Sequence, residues 1–258
     1  MKLAVTGKGG TGKTTIAALL AHFFSNDGFQ VLAVDADPDA HLASAIGVPE
    51  ELRNSIIPIS SQRELIKERT GADPRRFGQL FRMNPKVADL PEKFCFEYRG
   101  IKLMVMGGIS KGGGGCACPE NILLRSLLSE VILNRGEVVI VDMEAGIEHL
   151  GRATARAIDQ MLIMVEPGSR SVTTAKTILR LAEDIGIHSF GIIGNKIQGE
   201  KQGDWIIAQF SNQPILGMLS YHDGIRRSDQ QQTPLSDALN ESLEAEIRSI
   251  YLSLVSKN

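Results

Sequence analysis

The sequence has no excess of positive charge, no long apolar run and few cysteines, and each absence removes a class of function. Its 28 lysines and arginines are balanced by 30 aspartates and glutamates, so the chain lacks the basic excess that holds nucleic acid. No stretch of about 18 consecutive apolar residues offers a membrane-spanning helix. Three cysteines cannot build a disulfide framework, and no secretory leader precedes the first strand-like run. We therefore expect a cytoplasmic protein that binds neither nucleic acid nor membrane.

Aromatic residues are also scarce, at 5% of the chain, so aliphatic side chains must fill the core. Near-continuous apolar runs alternate with segments of helical spacing, which is typical of a doubly wound α/β fold. In that fold a mostly parallel sheet is covered by helices on both faces. No repeat or linker interrupts the pattern, so residues 1–258 are predicted to form a single domain. Strands are predicted at 2–6, 30–35, 101–106, 137–143, 160–166, 190–196 and 214–220, and helices at 13–26, 121–134, 172–185 and 235–254.

The stretch GKGGTGKTT, from Gly7 to Thr15, matches the Walker A phosphate-binding pattern in full. It follows a predicted strand and opens a predicted helix, as a P-loop NTPase requires. Backbone N–H groups of the glycine loop are expected to surround phosphate oxygens, with the helix N-terminus adding positive charge. Lys13 is expected to bridge the β- and γ-phosphates of ATP, and the Thr14 hydroxyl to bind Mg²⁺. The predicted nucleotide-binding residues here are Gly9, Gly10, Thr11, Gly12, Lys13, Thr14 and Thr15.

A second lysine, Lys8, lies early in the same loop, and by itself it could be a solvated surface charge. However, the stretch KGGTGKTT resembles the deviant Walker A motif of the MinD/ParA, arsenite-ATPase and nitrogenase-iron-protein class. In that class the early lysine crosses a dimer interface and stabilises transition-state charge at the partner's nucleotide. The resemblance therefore implies a nucleotide-dependent homodimer in which Lys8 is catalytic for the neighbouring subunit.

Three further stretches resemble parts of the same ATPase class. VDADPDAHL, residues 34–42, resembles switch I, and the aspartate that activates the attacking water there corresponds to Asp37. VIVDMEAG, residues 139–146, resembles Walker B and switch II, which implies that Asp142 reaches Mg²⁺ through water. In GNK, at the end of a predicted strand, Asn195 resembles the residue that reads adenine, although such a dipeptide is also common in simple turns.

Two cysteines, Cys116 and Cys118, follow four consecutive glycines and can chelate one soft metal ion. A closed thiolate site takes four ligands, and the chain offers no second pair, so two copies across a two-fold axis would complete it. The glycines would let the two backbones approach closely. Cys95, in an apolar run, is expected to be a buried thiol. A redox disulfide between the paired cysteines, or an inert pair, are the alternatives.

Taken together, GKGGTGKTT, DADPDAHL, DMEAGIEHLGR and GGGGCACPEN resemble the CooC-type nickel-insertion ATPases. These mature carbon monoxide dehydrogenase and the related acetyl-CoA synthase, and the resemblance spans almost the whole chain. It implies an ATP-driven metallochaperone that binds Ni²⁺ at Cys116 and Cys118, with Zn²⁺ possible in its place. It also implies delivery of the metal to one of those apo-enzymes as client.

Two other functions stay open. A MinD/ParA-type positioning ATPase would need a basic amphipathic helix or a basic surface. The C-terminal stretch SLEAEIRSIYLSLVSKN carries acids as well as bases, and the cysteine pair would have no task. An iron–sulfur ATPase that donates electrons would place one cluster cysteine on each of two separated loops, whereas Cys116 and Cys118 are almost adjacent.

Overall fold

A computed structural model of the chain contains one eight-stranded sheet in the part that it describes, residues 1–73, 76, 78–107, 118–144, 150, 152–231 and 233–256. The strand order is β3-β4-β2-β5-β1-β6-β7-β8, and every neighbouring pair is parallel except β3 with β4. The strands are β1 (Lys2–Gly7), β2 (Val31–Ala36), β3 (Phe96–Tyr98), β4 (Ile101–Val105), β5 (Val138–Met143), β6 (Gln160–Val165), β7 (Phe190–Ile197) and β8 (Ile215–Ser220).

The parallel strands confirm the predicted doubly wound sheet, and one strand was missed. β3 pairs with β4 through a two-residue turn at Arg99 and Gly100, both of which have positive φ, 48° and 76°. That conformation is the primed turn that joins tight antiparallel hairpins. A strand of three residues is too short to show an alternating pattern. All eight strands share one sheet, which supports the proposal that residues 1–258 form one domain.

Helices cover both faces of the sheet. The described helices are α1 (Lys13–Asn26), α2 (Leu42–Ile46), α3 (Glu50–Arg53), α4 (Arg63–Thr70), α5 (Leu90–Phe94), α6 (Cys118–Asn134), α7 (Arg152–Arg156), α8 (Ser169–Ile185), α9 (Glu200–Gln209), α10 (Asp223–Gln231) and α11 (Glu241–Val255), with 3₁₀ turns at Ile59–Ser61 and Leu235–Ala238. The continuous helix predicted over 235–254 is wrong. Asn240 interrupts it, because its side chain accepts a hydrogen bond from Leu243 N and caps α11.

Alternate residues of the strands enter two separate apolar cores. In β1, Leu3 and Val5 pack with α1 and α11, whereas Ala4 packs with α6 and α8 on the other face. This two-sided burial explains why the strands read as continuous apolar runs. Among the described residues, no helix is both long and apolar enough to cross a membrane.

Candidate functional site

The loop between β1 and α1 has the backbone conformation of a phosphate cradle. Gly10 and Gly12 adopt positive φ values of 80° and 92°, which side chains disfavour. A Cβ at Gly12 would also collide with the amide nitrogen of Asn195. Thr11 closes the loop on itself, since its hydroxyl and its N–H both donate to the Lys8 carbonyl, at 2.7 and 3.2 Å. The described geometry therefore depends on the glycines of the motif.

The N-terminus of α1 faces this loop. Gly12 is the N-cap, and because it has no side chain it leaves the first N–H groups of the helix available to an anion. Lys13 is the first helical residue and is buried, only 7% exposed. Thr14 and Thr15 follow in the first turn. The predicted phosphate ligands thus converge on one point at the end of β1.

Two buried carboxylates lie side by side next to α1. Asp35 of β2 and Asp142 of β5 are register partners, and they are 0% and 1% exposed. Burial raises the pKa of Asp35 to about 6, although hydrogen bonds from backbone N–H groups act to lower it. Burial likewise raises the pKa of Asp142 to about 7, and the charge of Asp35 adds to this, while the Thr14 hydroxyl and the Lys13 ammonium act in the opposite direction.

The Asp142 carboxylate fits the divalent cation that accompanies ATP. Neither of its side-chain oxygens has a hydrogen-bond partner in the described part of the chain. A buried carboxylate without partners is costly, and a bound cation would remove that cost. The nearby Thr14 hydroxyl adds a second oxygen, and oxygen ligands are those that Mg²⁺ prefers. The donor set at this point therefore suits Mg²⁺.

Asp35 has a structural role, in holding a turn, that the sequence analysis did not predict. Its Oδ2 accepts a hydrogen bond from Leu42 N at 2.8 Å, and its Oδ1 accepts one from Asp37 N at 3.3 Å. The carboxylate therefore tethers both ends of the turn that carries Asp37. Asp37 in turn accepts a hydrogen bond from Asp39 N at 3.0 Å. Aspartates that bind the backbone two residues ahead are a known turn-forming pattern, and D-x-D-x-D was its signal in the sequence.

The second lysine of the phosphate loop is bound within its own chain. Lys8 Nζ lies 3.3 Å from Oε1 of Glu166, the residue that follows β6. Lys196 Nζ lies 3.6 Å from the other carboxylate oxygen of Glu166 and donates to the Gly10 carbonyl at 2.6 Å. One carboxylate thus bridges two cations that flank the loop. Neither Glu166 nor Lys196 was singled out in the sequence analysis. Glu166 begins the stretch EPG after one predicted strand, and Lys196 ends the stretch GNK of another.

Asn195 braces the phosphate loop from behind. Its Nδ2 donates to the Thr11 carbonyl at 2.8 Å, and its Oδ1 accepts from Lys196 N at 2.8 Å. The side chain is 6% exposed and lies against the loop that is predicted to bind phosphate. Its role in reading adenine stays a prediction.

The predicted metal ligands lie at the limit of the described residues. Cys116 falls within 108–117, outside them, and Cys118 is described only as the first residue of α6. The segment leaves the sheet after Met106, whose N–H donates to the Asp35 carbonyl at 2.9 Å. The chain thus enters the cysteine loop beside the tethered Asp37 turn. Cys95 is half-buried, and burial raises the pKa of its thiol to about 11, so it is a poor thiolate ligand.

Comparison with known proteins gives a family and several relatives. The family model for the CobQ/CobB/MinD/ParA nucleotide binding domain matches residues 2–235. The carbon monoxide dehydrogenase accessory protein CooC of Rhodospirillum rubrum is 47% identical over 230 residues, covering 89% of this chain and 87% of that protein. An uncharacterized ATP-binding protein of Methanocaldococcus jannaschii is 45% identical over 253 residues, covering 97% and 96%.

Solved structures confirm the fold. The MinD cell division protein of Aquifex aeolicus superimposes with a TM-score of 0.67 at 20% identity, covering 99% of this chain and 97% of its own. A ParA family ATPase from Chlorobium tepidum superimposes with a TM-score of 0.70 at 18% identity, covering 97% and 98%.

Proposed function

Since this chain is an ATPase of the CobQ/CobB/MinD/ParA family, we propose that it is a metallochaperone that delivers nickel to an apo-enzyme, carbon monoxide dehydrogenase or acetyl-CoA synthase. The observation that carries the proposal is the 47% identity with CooC along most of both chains. An iron–sulfur ATP-binding protein of light-independent protochlorophyllide reductase is also a relative, but it is only 26% identical. We also propose that the protein acts as a homodimer in the cytoplasm.

In this proposal, the phosphate loop binds ATP and the strand ends arrange its hydrolysis. Lys13 and the N–H groups of the loop bind the phosphates, and Thr14 and Asp142 hold Mg²⁺, which supplies charge neutralisation when bound. Asp37 orients the attacking water from a turn that Asp35 keeps in place. Lys8 of the other subunit then stabilises the charge that develops on the transferred phosphoryl group.

The nickel ion is the cargo of this cycle. Cys116 and Cys118 from two subunits provide four thiolates, soft ligands that favour Ni²⁺ or Zn²⁺ over Mg²⁺. The hydrogen bond from Met106 N to the Asp35 carbonyl supports coupling between the two sites, because the cysteine loop begins where the Asp37 turn is anchored. A change at the turn on hydrolysis would therefore act on the metal loop and favour release.

Metal stoichiometry tests the proposal. Equilibrium dialysis against Ni²⁺, combined with light scattering, should give one ion per two chains in the wild type. The variant Cys116→Ala/Cys118→Ala should lose stoichiometric metal while still binding ATP, and the matched variant Cys95→Ala should keep the metal. One ion per monomer, without a dimer, would overturn the shared site. The visible absorption of an iron–sulfur cluster in anaerobically purified protein would favour the electron-donor function instead.

A further inference from the structure

We infer that Glu166 is a positioning residue that retains Lys8 within its own subunit until ATP draws the lysine across the dimer interface. The inference rests on the proposed cross-subunit role of Lys8. In the single chain, the Lys8 ammonium is paired with Glu166 at 3.3 Å, at the end of the strand next to β1. A lysine paired there is held against its own subunit.

The Glu166 main chain is fixed by the start of α8. Its N–H donates to the Ser171 hydroxyl at 3.1 Å, and Ser171 is only 2% exposed. The Glu166 side chain is itself 26% exposed, so it lies against the protein rather than free in solvent. The carboxylate therefore presents a defined partner to Lys8.

Lys196 gives the carboxylate a second cation. Its ammonium contacts Glu166 at 3.6 Å while it donates to the Gly10 carbonyl, so the carboxylate is held relative to the phosphate loop. Lys196 has a positive φ of 58°, an uncommon conformation for a residue with a side chain, and Asn195 Oδ1 binds its N–H. When Lys8 departs, Glu166 still has Lys196 as a partner, so the release leaves no carboxylate unpaired.

The charges make this arrangement sensitive to the nucleotide. Lys8 is 37% exposed, and an ion pair with that much solvent access is weak and easily exchanged. The terminal phosphate of ATP in a facing subunit carries more negative charge than one carboxylate, so it competes successfully for Lys8. ADP lacks that phosphate, and Lys8 then returns to Glu166. The pair thereby raises the threshold for dimer closure, and the terminal phosphate of ATP offsets it.

The test compares dimerisation with and without Lys8. In an Asp37→Ala background, which preserves bound ATP, the dimer dissociation constant is measured by sedimentation with Mg²⁺-ATP. Glu166→Gln should tighten the dimer about four- to twenty-fivefold, because each closed dimer breaks two partly exposed ion pairs and each pair is worth about two- to fivefold. The same substitution should have no effect when Lys8→Ala is also present. Glu183→Gln, an exposed change on α8 with the same loss of charge, is the matched control and should leave the constant unchanged.

Two further measurements, of ATP affinity and of ATP turnover, distinguish failure of the Glu166 role from failure of the Lys8 role. Affinity of the Glu166→Gln variant for ATP should stay within error of the parent, which shows that its phosphate loop is intact. Equal tightening with and without Lys8, or no tightening when Lys8 is present, would overturn the positioning role. If Lys8→Ala alone left ATP turnover intact, the cross-subunit function of Lys8 would be the part that failed.

Discussion

Asp35 and Asp142 face each other across the β2–β5 pair, and only the first has hydrogen-bond partners in the described part of the chain. The two carboxylates are therefore not equivalent, although both are buried and both lie at the ligand-binding edge of the sheet. Asp35 stabilises the protein by holding a turn, whereas Asp142 is kept at a cost in the nucleotide-free chain.

That difference predicts opposite effects of two matched substitutions. Above about pH 8, where Asp142 is ionised, Asp142→Asn should raise the free energy of unfolding of the nucleotide-free protein by about 1–3 kcal/mol, because it removes a buried charge whose pKa burial raises to about 7. It should also abolish Mg²⁺-dependent ATP hydrolysis. Asp35→Asn should lower the free energy of unfolding, since an amide has only one acceptor oxygen and its NH2 group would face one of the two backbone N–H donors. Urea denaturation of the two variants measures this, and a destabilised Asp142→Asn protein would contradict the account.

Lys13→Ala should reduce ATP turnover at least about 100-fold, the usual cost of removing one transition-state charge contact. The reason is that Lys13 is the buried cation at the N-terminus of α1, where the β- and γ-phosphates are expected. Steady-state phosphate release by the purified variant measures the effect. Circular dichroism serves as a control for folding, and near-normal turnover would contradict the assignment.

Lys8→Ala should keep ATP binding but lose hydrolysis, because the proposed target of Lys8 is the partner's nucleotide. Mixing Lys8→Ala protein with Asp37→Ala protein should restore about a quarter of wild-type turnover, since half of randomly formed dimers then contain one complete site. The rate of phosphate release by the mixture measures this turnover, and native mass spectrometry gives the fraction of heterodimers. Heterodimers without activity would show that Lys8 and Asp37 must come from the same chain.

Asn195→Ala should weaken the binding of both ATP and inorganic tripolyphosphate about five- to tenfold, because it removes the brace on the Thr11 carbonyl. Tripolyphosphate has no adenine base, so the loss of affinity for this ligand reports on the phosphate loop alone. If Asn195 also reads adenine, as we propose, ATP should lose more affinity than tripolyphosphate. Calorimetric titration of both ligands separates the two effects. Equal losses would leave Asn195 with only the bracing role.

The sequence predicted the parts of this protein that depend on neighbours along the chain. The parallel strands were visible because burial on both faces makes each a continuous apolar run. The Walker A loop was visible because its glycines and lysines are contiguous. Short elements such as α2 and α5, of five residues each, carry too few turns for a periodic signal.

Contacts between distant residues could not be predicted in this way. Lys8 and Glu166 are separated by 158 positions, and only the β1–β6 pairing brings them together. The tether from Asp35 to Leu42 joins a side chain to a backbone N–H, and backbone groups leave no mark in a sequence. Even the position of Asn195 behind the phosphate loop depends on how β7 is ordered in the sheet.

The short strand β3 has a consequence for how two copies of this chain can meet. β3 is the edge strand on one side of the sheet; it has three residues and runs antiparallel to β4. The edge strand on the other side is β8, whose register with β7 is irregular. Short and irregular edge strands are poor templates for adding a foreign strand. Two molecules therefore cannot readily fuse their sheets side by side. The proposed dimer would instead form through the loops at the carboxyl ends of the strands, where the phosphate loop follows β1 and the chain leaves the sheet after Met106.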